Sequence, residues 1–229
     1  MLPKQILPKF FDQEFKKITD DKEFIAAAIT MPYKKSAYSR VTPKNEITRL
    51  SKSVNLIIKY KKKLIGFNTD IEAALEIIKK KKKDKILIIG LGGTGGAFYN
   101  VLCSKYNRSN FYVKTSQNKK NKKNVFFIKE LKKSLLNQID LVINCSPLGS
   151  DLKKKYLDKS PLSSDNINEL NKLGFVFDIV YKPKVNLLAK LCKKNKIEYE
   201  NGLRMNTLQA DYALKYLYKF TKPMLQTRK

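Results

Sequence analysis

Lys85-Ile86-Leu87-Ile88-Ile89-Gly90-Leu91-Gly92-Gly93-Thr94-Gly95-Gly96 is an aliphatic run that stops abruptly in glycine. A stretch with no polar alternation does not suit a half-wet sheet, so it reads as a strand covered on both faces. The glycines meet the spacing G-x-G-x-x-G at Gly90, Gly92 and Gly95, and residues 97–105 continue as a helix. This common pattern gains meaning when it joins a buried strand directly to a helix. Gly90 then permits the tight turn, Gly92 lets backbone approach a pyrophosphate, and Gly95 lets the helix pack close to the sheet. Around Gly93 and Thr94 the helix start offers free N–H groups and a positive dipole end to phosphate. The stretch 85–200 is therefore expected to bind a nicotinamide dinucleotide.

Downstream, further strands are expected at 110–115, 125–128, 141–145, 175–181 and 196–200, with a helix at 185–194. Unalternated strands separated by helices indicate a parallel sheet covered on both sides. Upstream the pattern is looser. A helix is expected within 8–17, and a strand at 24–30 that ends before Pro32, which cannot donate to a ladder. Residues 47–54 read as a helix or turn, 55–60 and 63–68 as paired strands joined by lysines, and 71–80 as a helix. A last helix covers 206–220. The expected fold is α/β: a Rossmann-type parallel-sheet nucleotide domain at 83–204, plus a smaller, truncated α/β substrate domain from 1–82 and 205–229.

The formal net charge of +28 comes from 43 lysines but only 5 arginines, scattered along all 229 residues. Arginine is the fork-shaped reader of phosphate and guanine, so no specific nucleic-acid partner is expected. Lysine runs such as 79–83 and 153–155 read as solvated helix ends or loops. No apolar run approaches the roughly 20 residues that span a bilayer, so no membrane partner is expected. The opening MLPKQILPKFFDQEF lacks the apolar core of a signal peptide, and the expected compartment is cytoplasmic. The chain has no histidine, which excludes histidine bases and histidine metal sites; proton transfer falls to Lys, Tyr, Asp, Glu or Cys. Cys103, Cys145 and Cys192 are widely spaced in apolar stretches, and so read as small buried residues rather than a disulfide set or metal site.

An NAD site usually carries a carboxylate about 20 residues beyond the glycines, on the ribose 2′-hydroxyl. Here no Asp or Glu occurs between Asp84 and Glu130, and the expected position reads Lys114-Thr115-Ser116-Gln117-Asn118-Lys119-Lys120. The hydroxyls of Thr115 and Ser116 and the ammonium of Lys119 suit a 2′-phosphate, which favours NADP. The alternative, that these lysines merely share the general excess, stays open.

Six short segments point one way: Thr30-Met31-Pro32-Tyr33-Lys34; Gly66-Phe67-Asn68-Thr69-Asp70; the glycine loop; Asn144-Cys145-Ser146-Pro147-Leu148-Gly149; Asp178-Ile179-Val180-Tyr181-Lys182-Pro183; and Gly202-Leu203-Arg204-Met205 with Gln209. In this order and at these separations they resemble the shikimate dehydrogenase family, from about residue 24 to 219. The resemblance implies reversible reduction of the 3-keto group of 3-dehydroshikimate by NADPH. It implies a catalytic pair, Lys34 and Asp70, between the two domains. Thr30, Asn55, Tyr181 and Gln209 are then the substrate-binding positions. Asn144, Ser146 and Gly202 are added to the cofactor side. An ammonium fits this chemistry because charge builds on the carbonyl oxygen, which it can stabilise and protonate.

The departures from the pattern are specific. Such chains begin with a βα unit bearing a serine pair, S-x-S, for the substrate carboxylate; MLPKQILPKFF shows none. Ala28 stands where the family has Asn, Tyr33 where it has His, and Ser116 near its usual Arg. Each missing charge-assisted hydrogen bond weakens binding by about 1.5–3 kcal/mol. The implied partner is a small ring acid, and the chain is expected as a monomer or homodimer. The alternative function is an NADP-binding sensor or interaction protein with impaired catalysis.

Overall fold

The computed structural model describes residues 7–226. The opening stretch 1–11, which contains no S-x-S pair, lies partly outside them. Ten strands run in chain order: β1 Ala26–Ala28, β2 Thr42–Pro43, β3 Leu56–Tyr60, β4 Lys63–Phe67, β5 Lys85–Ile89, β6 Asn110–Lys114, β7 Val125–Ile128, β8 Leu141–Asn144, β9 Phe175–Asp178 and β10 Glu198–Asn201. The strands expected from sequence are present, most of them a residue or more shorter. The helix expected at 97–105 begins earlier, as Gly93–Lys105, so the glycines form its first turn.

β5 to β10 make one sheet in the order β10-β9-β8-β5-β6-β7, every pair parallel. Composition tracks this order in part. The inner strands β5, β8 and β9 carry KILII, LVIN and FVFD, buried almost throughout, while inner β6, NFYVK, alternates and β10 at one edge is the polar EYEN. Alternation then sorts the two faces. Leu87, Ile89, Val142 and Val176 pack with Leu162, Ile167, Leu170, Leu188 and Cys192 on one side. On the other, Phe98 of helix Gly93–Lys105 meets Phe177 of β9 edge-on at 6.3 Å. Fully burying each such aliphatic or aromatic side chain stabilises the fold by about 1.5–3 kcal/mol. Burial also pushes the Cys192 thiol up to about 12, which leaves it protonated and inert.

The second sheet has the order β1-β3-β4-β2 and pairs β2 with β4 in parallel, the rest antiparallel. Helix Phe11–Asp20 sets Phe11 and Phe15 against Phe24, Ala37, Val54 and Ile57 on one face. On the other face, Leu56, Ile58, Ile65 and Phe67 meet Ala213, Tyr216 and Phe220 of helix Leu203–Gln226. Phe67 and Tyr216 stack at 4.0 Å.

The hairpin β3–β4 turns on Lys61 and Lys62, both at positive φ, 46° and 62°. A two-residue turn with both φ positive favours Asn-Gly, and a side chain there costs about 1–2 kcal/mol per residue. The double substitution Lys61→Asn with Lys62→Gly is therefore expected to raise the urea midpoint without changing the slope; an unchanged or lower midpoint would count against this turn.

The chain divides into two compact units, one ending at Thr69 and resuming at Ala210, the other spanning Asp70–Gln209. The lysine run near residue 82 marks a change of composition, whereas this division follows packing. It falls inside helices Thr69–Ile78 and Leu203–Gln226. No described helix is long and apolar enough to cross a membrane.

Candidate functional site

The parallel sheet changes direction between β5 and β8: the chain runs outward from β5 through β6 to β7, then returns to β8 and builds the other side. Loops leaving the carboxyl ends of two such strands open a crevice, the place where α/β sheets bind ligands. One of these loops is the glycine loop. Gly90 has φ +90°, and a Cβ there would lie 3.1 Å from the Ser146 nitrogen. A Cβ on Gly95 would lie 2.1 Å from the Gly90 carbonyl oxygen, inside any tolerable contact. Gly92, the N-cap, and Gly93 are different: a Cβ on either meets nothing within 4 Å. The space beside them is open, and the first helical turn beyond holds no acidic residue. The start of helix Gly93–Lys105 thus faces open space, and free N–H groups at a helix start suit phosphate.

The other loop is 144–149. Asn144 ends β8 in register with Ile89 and Asp178. Its Oδ1 accepts from the Ser146 N–H at 2.9 Å and the Ser146 hydroxyl at 2.7 Å. Its Nδ2 donates to Asp178 Oδ1 at 2.8 Å. Asp178 is fully buried, and burial raises its carboxyl above the ordinary range while its hydrogen-bond donors pull it back. Gly202 is held against this region, since a Cβ there would lie 2.2 Å from the Ile179 carbonyl oxygen. Tyr181 follows on the exposed side, at 40%.

A cavity of about 270 Å³ lies beyond β6 and β7, lined by Thr115, Gln117, Asn118, Lys119, Lys120, Phe127, Ile128 and Lys129. Its lining contains no carboxylate and three ammonium groups. Gln117 ties this end to the glycine loop by donating to the Leu91 carbonyl at 3.2 Å. Thr115 and Lys119 are in the wall; exposed Ser116 is outside it. Lys129, from the end of β7, had no signature in a chain with lysines at every turn.

In the other unit, Lys34 opens the short helix Lys34–Tyr38. The segment is anchored by Tyr33, whose ring stacks on Phe11 at 4.7 Å. The Lys34 carbonyl accepts from Val54 N–H at 2.9 Å, and the Asn55 carbonyl accepts from Ile29 N–H at 2.8 Å. These backbone bonds gather Thr30, Lys34 and Asn55. Asn55 is itself buried: its Oδ1 accepts from the Thr69 N–H at 2.8 Å and its Nδ2 donates to the Thr69 hydroxyl at 2.9 Å. Its amide thereby secures the start of helix Thr69–Ile78, in whose first turn Asp70 follows. Thr69 was not singled out from sequence, although its place in the segment Asn68-Thr69-Asp70 marked it. Gln209 is half-buried in helix Leu203–Gln226.

Fold and loops together define a Rossmann-type α/β protein with the glycine loop at its switch point. No protein-family model matches the chain. Its curated homologues are shikimate dehydrogenases. The NADP(+) enzyme of Caldanaerobacter subterraneus is 28% identical over 206 residues, covering 83% of this chain and 70% of that protein. The Clostridium botulinum enzyme is 29% identical over 197 residues, covering 81% and 72%. Among solved structures, a chorismate mutase/shikimate 5-dehydrogenase fusion protein from Clostridium acetobutylicum has a TM-score of 0.74 at 22% identity, covering 95% of this chain and 78% of its own. The Thermus thermophilus enzyme, solved in complex with NADP(H) and shikimate, has a TM-score of 0.72 at 19% identity, covering 93% and 79%. These structures share the α/β fold with its parallel sheet.

Proposed function

We propose that this chain is an NADP-dependent oxidoreductase that interconverts 3-dehydroshikimate, or a related ring keto acid, and the matching hydroxy acid. The observation that carries this reading is the open glycine cradle at the switch point of a chain homologous to NADP-dependent shikimate dehydrogenases. The nucleotide half is 83–204 and the substrate half 1–82 with 205–229. The chain works in the cytoplasm, as a monomer or homodimer.

Gly92 and Gly93, with Thr94 and Gly95 in the first helical turn, hold the pyrophosphate by backbone N–H groups. Asn144, Ser146 and Gly202 shape the opposite wall. NADP, once bound, supplies or accepts the hydride. Lys34 donates to the carbonyl oxygen as charge builds on it, then delivers the proton; in reverse it removes that proton. Asp70 is assigned the second catalytic role, as the acidic member of the implied pair. Thr30, Asn55, Tyr181 and Gln209 hydrogen-bond the ring, with Asn55 acting largely through Thr69. The test is direct: NADP with shikimate should give growing NADPH absorbance. No turnover with shikimate, quinate or aminated analogues would sink the substrate assignment.

The 2′-phosphate is assigned to Thr115, Ser116 and Lys119, supported by the carboxylate-free cavity. Lys119→Glu should weaken NADPH binding about tenfold, the scale of one charge-assisted contact, and leave NADH binding unchanged. Fluorescence titration with both nucleotides reads this; an equal loss for both would reject the assignment.

A further inference from the structure

The carboxylate of Asp178 is buried in a chain that carries 48 basic residues. Among the described residues it makes no ion pair. Instead each oxygen accepts twice. Oδ1 takes Asn144 Nδ2–H at 2.8 Å and the Val180 N–H at 3.1 Å; Oδ2 takes Asn186 Nδ2–H at 2.8 Å and the Tyr199 hydroxyl at 3.1 Å. A buried carboxylate can be held by neutral donors only if all of its lone pairs are met, as they are here.

Two of these donors continue into the loop 144–149. Donating Nδ2 to Asp178 leaves Asn144 only one orientation, with Oδ1 turned toward Ser146, where it accepts from N–H and hydroxyl. The turn so formed lays Cys145 and Ser146 backbone against Gly90, close enough that a Cβ at Gly90 would lie 3.2 Å from the Cys145 carbonyl carbon. At the far end of the loop, Gly149 has φ +88°, and a Cβ on it would lie 3.0 Å from Asn186 Nδ2, the second amide oriented by Asp178. Asn186 Oδ1 in turn accepts from Ala189 N–H at 2.9 Å and caps helix Leu187–Lys194. Both ends of the loop thus rest on amides whose direction one carboxylate sets.

We infer that Asp178 is a positioning residue for the dinucleotide site: through Asn144 and Asn186 it holds loop 144–149 in the shape that meets the glycine loop. This rests on the cofactor reading above. An amide at position 178 keeps one acceptor oxygen but turns N–H groups toward either Asn144 and Val180 or Asn186 and Tyr199, so one of the two supports of the loop is lost. Tyr199 donates to Oδ2 of the same carboxylate and lies against Asn186, with no described hydrogen bond to residues 144–149, so it tests stability apart from the Asn144 side of the relay.

The experiment uses the full chain, with NADPH fluorescence titration, melting curves, and hydrogen exchange read on the peptide that contains Ser146. Asp178→Asn should weaken NADPH binding about tenfold and speed exchange at Ser146. Tyr199→Phe should lower the melting temperature yet leave affinity and Ser146 exchange near wild type. Asn144→Ala should reproduce the loss, and the pair Asp178→Asn with Asn144→Ala should be no weaker than either alone, because the two act in series. Unchanged affinity in Asp178→Asn, or losses in all variants that simply track melting temperature, would overturn the positioning role. If Asp178→Asn does not fold, Asn144→Ala decides: unchanged affinity and exchange there reject the relay. Failure of the wild-type chain to bind NADPH would instead sink the cofactor reading itself, while the exchange data would still judge the relay.

Discussion

Lys34→Ala is expected to lower NADPH formation from NADP and shikimate by about 10²- to 10⁴-fold, the usual worth of a positioned acid–base group. The dissociation constant of NADP should stay near wild type, because the cradle belongs to the glycine loop. The reason is the charge that builds on the carbonyl oxygen as it is reduced. Once Lys34 is removed, water or a distant lysine must meet that charge. Lys34→Arg should not restore the rate, since a guanidinium holds its proton too firmly to transfer it. Asp70→Asn should give a smaller loss, because it leaves the Lys34 ammonium in place. Steady-state absorbance with calorimetry separates rate from binding. A Lys34→Ala enzyme within a few fold of wild type would remove Lys34 from the chemistry.

Gly95→Ala is expected to damage packing and cofactor binding together. Its Cβ would lie 2.1 Å from the Gly90 carbonyl oxygen and 3.1 Å from Cys145 Cβ, so helix or loop must shift. Overpacking of this kind costs about 1–3 kcal/mol, and the displaced N–H groups would no longer converge on phosphate. Melting temperature and NADPH affinity should fall together. Gly93→Ala is the informative contrast. A Cβ there meets nothing within 4 Å, so the fold should be unharmed or slightly stabilised by better helix propensity. The affinity should fall all the same, because the methyl would occupy the space assigned to the pyrophosphate. If Gly93→Ala bound NADPH as tightly as wild type, the open space would not be the cradle.

Much of this was legible in one dimension because it depends on local rules. KILII followed by glycines predicts a buried strand, a sharp turn and a helix start, and all three are present at β5 and Gly93–Lys105. The short helices Lys133–Leu136, Lys154–Leu157 and Ser164–Asn168 were not foreseen, since four or five residues leave too little periodicity to read. Asn55 was marked as a ring-binding group by resemblance. Its burial and its two hydrogen bonds with Thr69 depend on a residue fourteen places away, which no local pattern records.

By itself, the amino-acid sequence determined the strand–turn–helix of the glycine loop, the parallel sheet, and the homology that the comparisons bear out. Backbone sterics and hydrophobic alternation act over a few residues, so those features can be read from a few residues. Only the tertiary structure decided what surrounds the loop. It made Gly95 a packing necessity and left Gly93 open. It placed Lys129 in the wall beside Lys119, and converged Asn144, Asn186 and Tyr199 on Asp178. Burial and hydrogen-bond geometry are set by which strand ends become neighbours. That is a property of the folded sheet order, not of spacing along the chain.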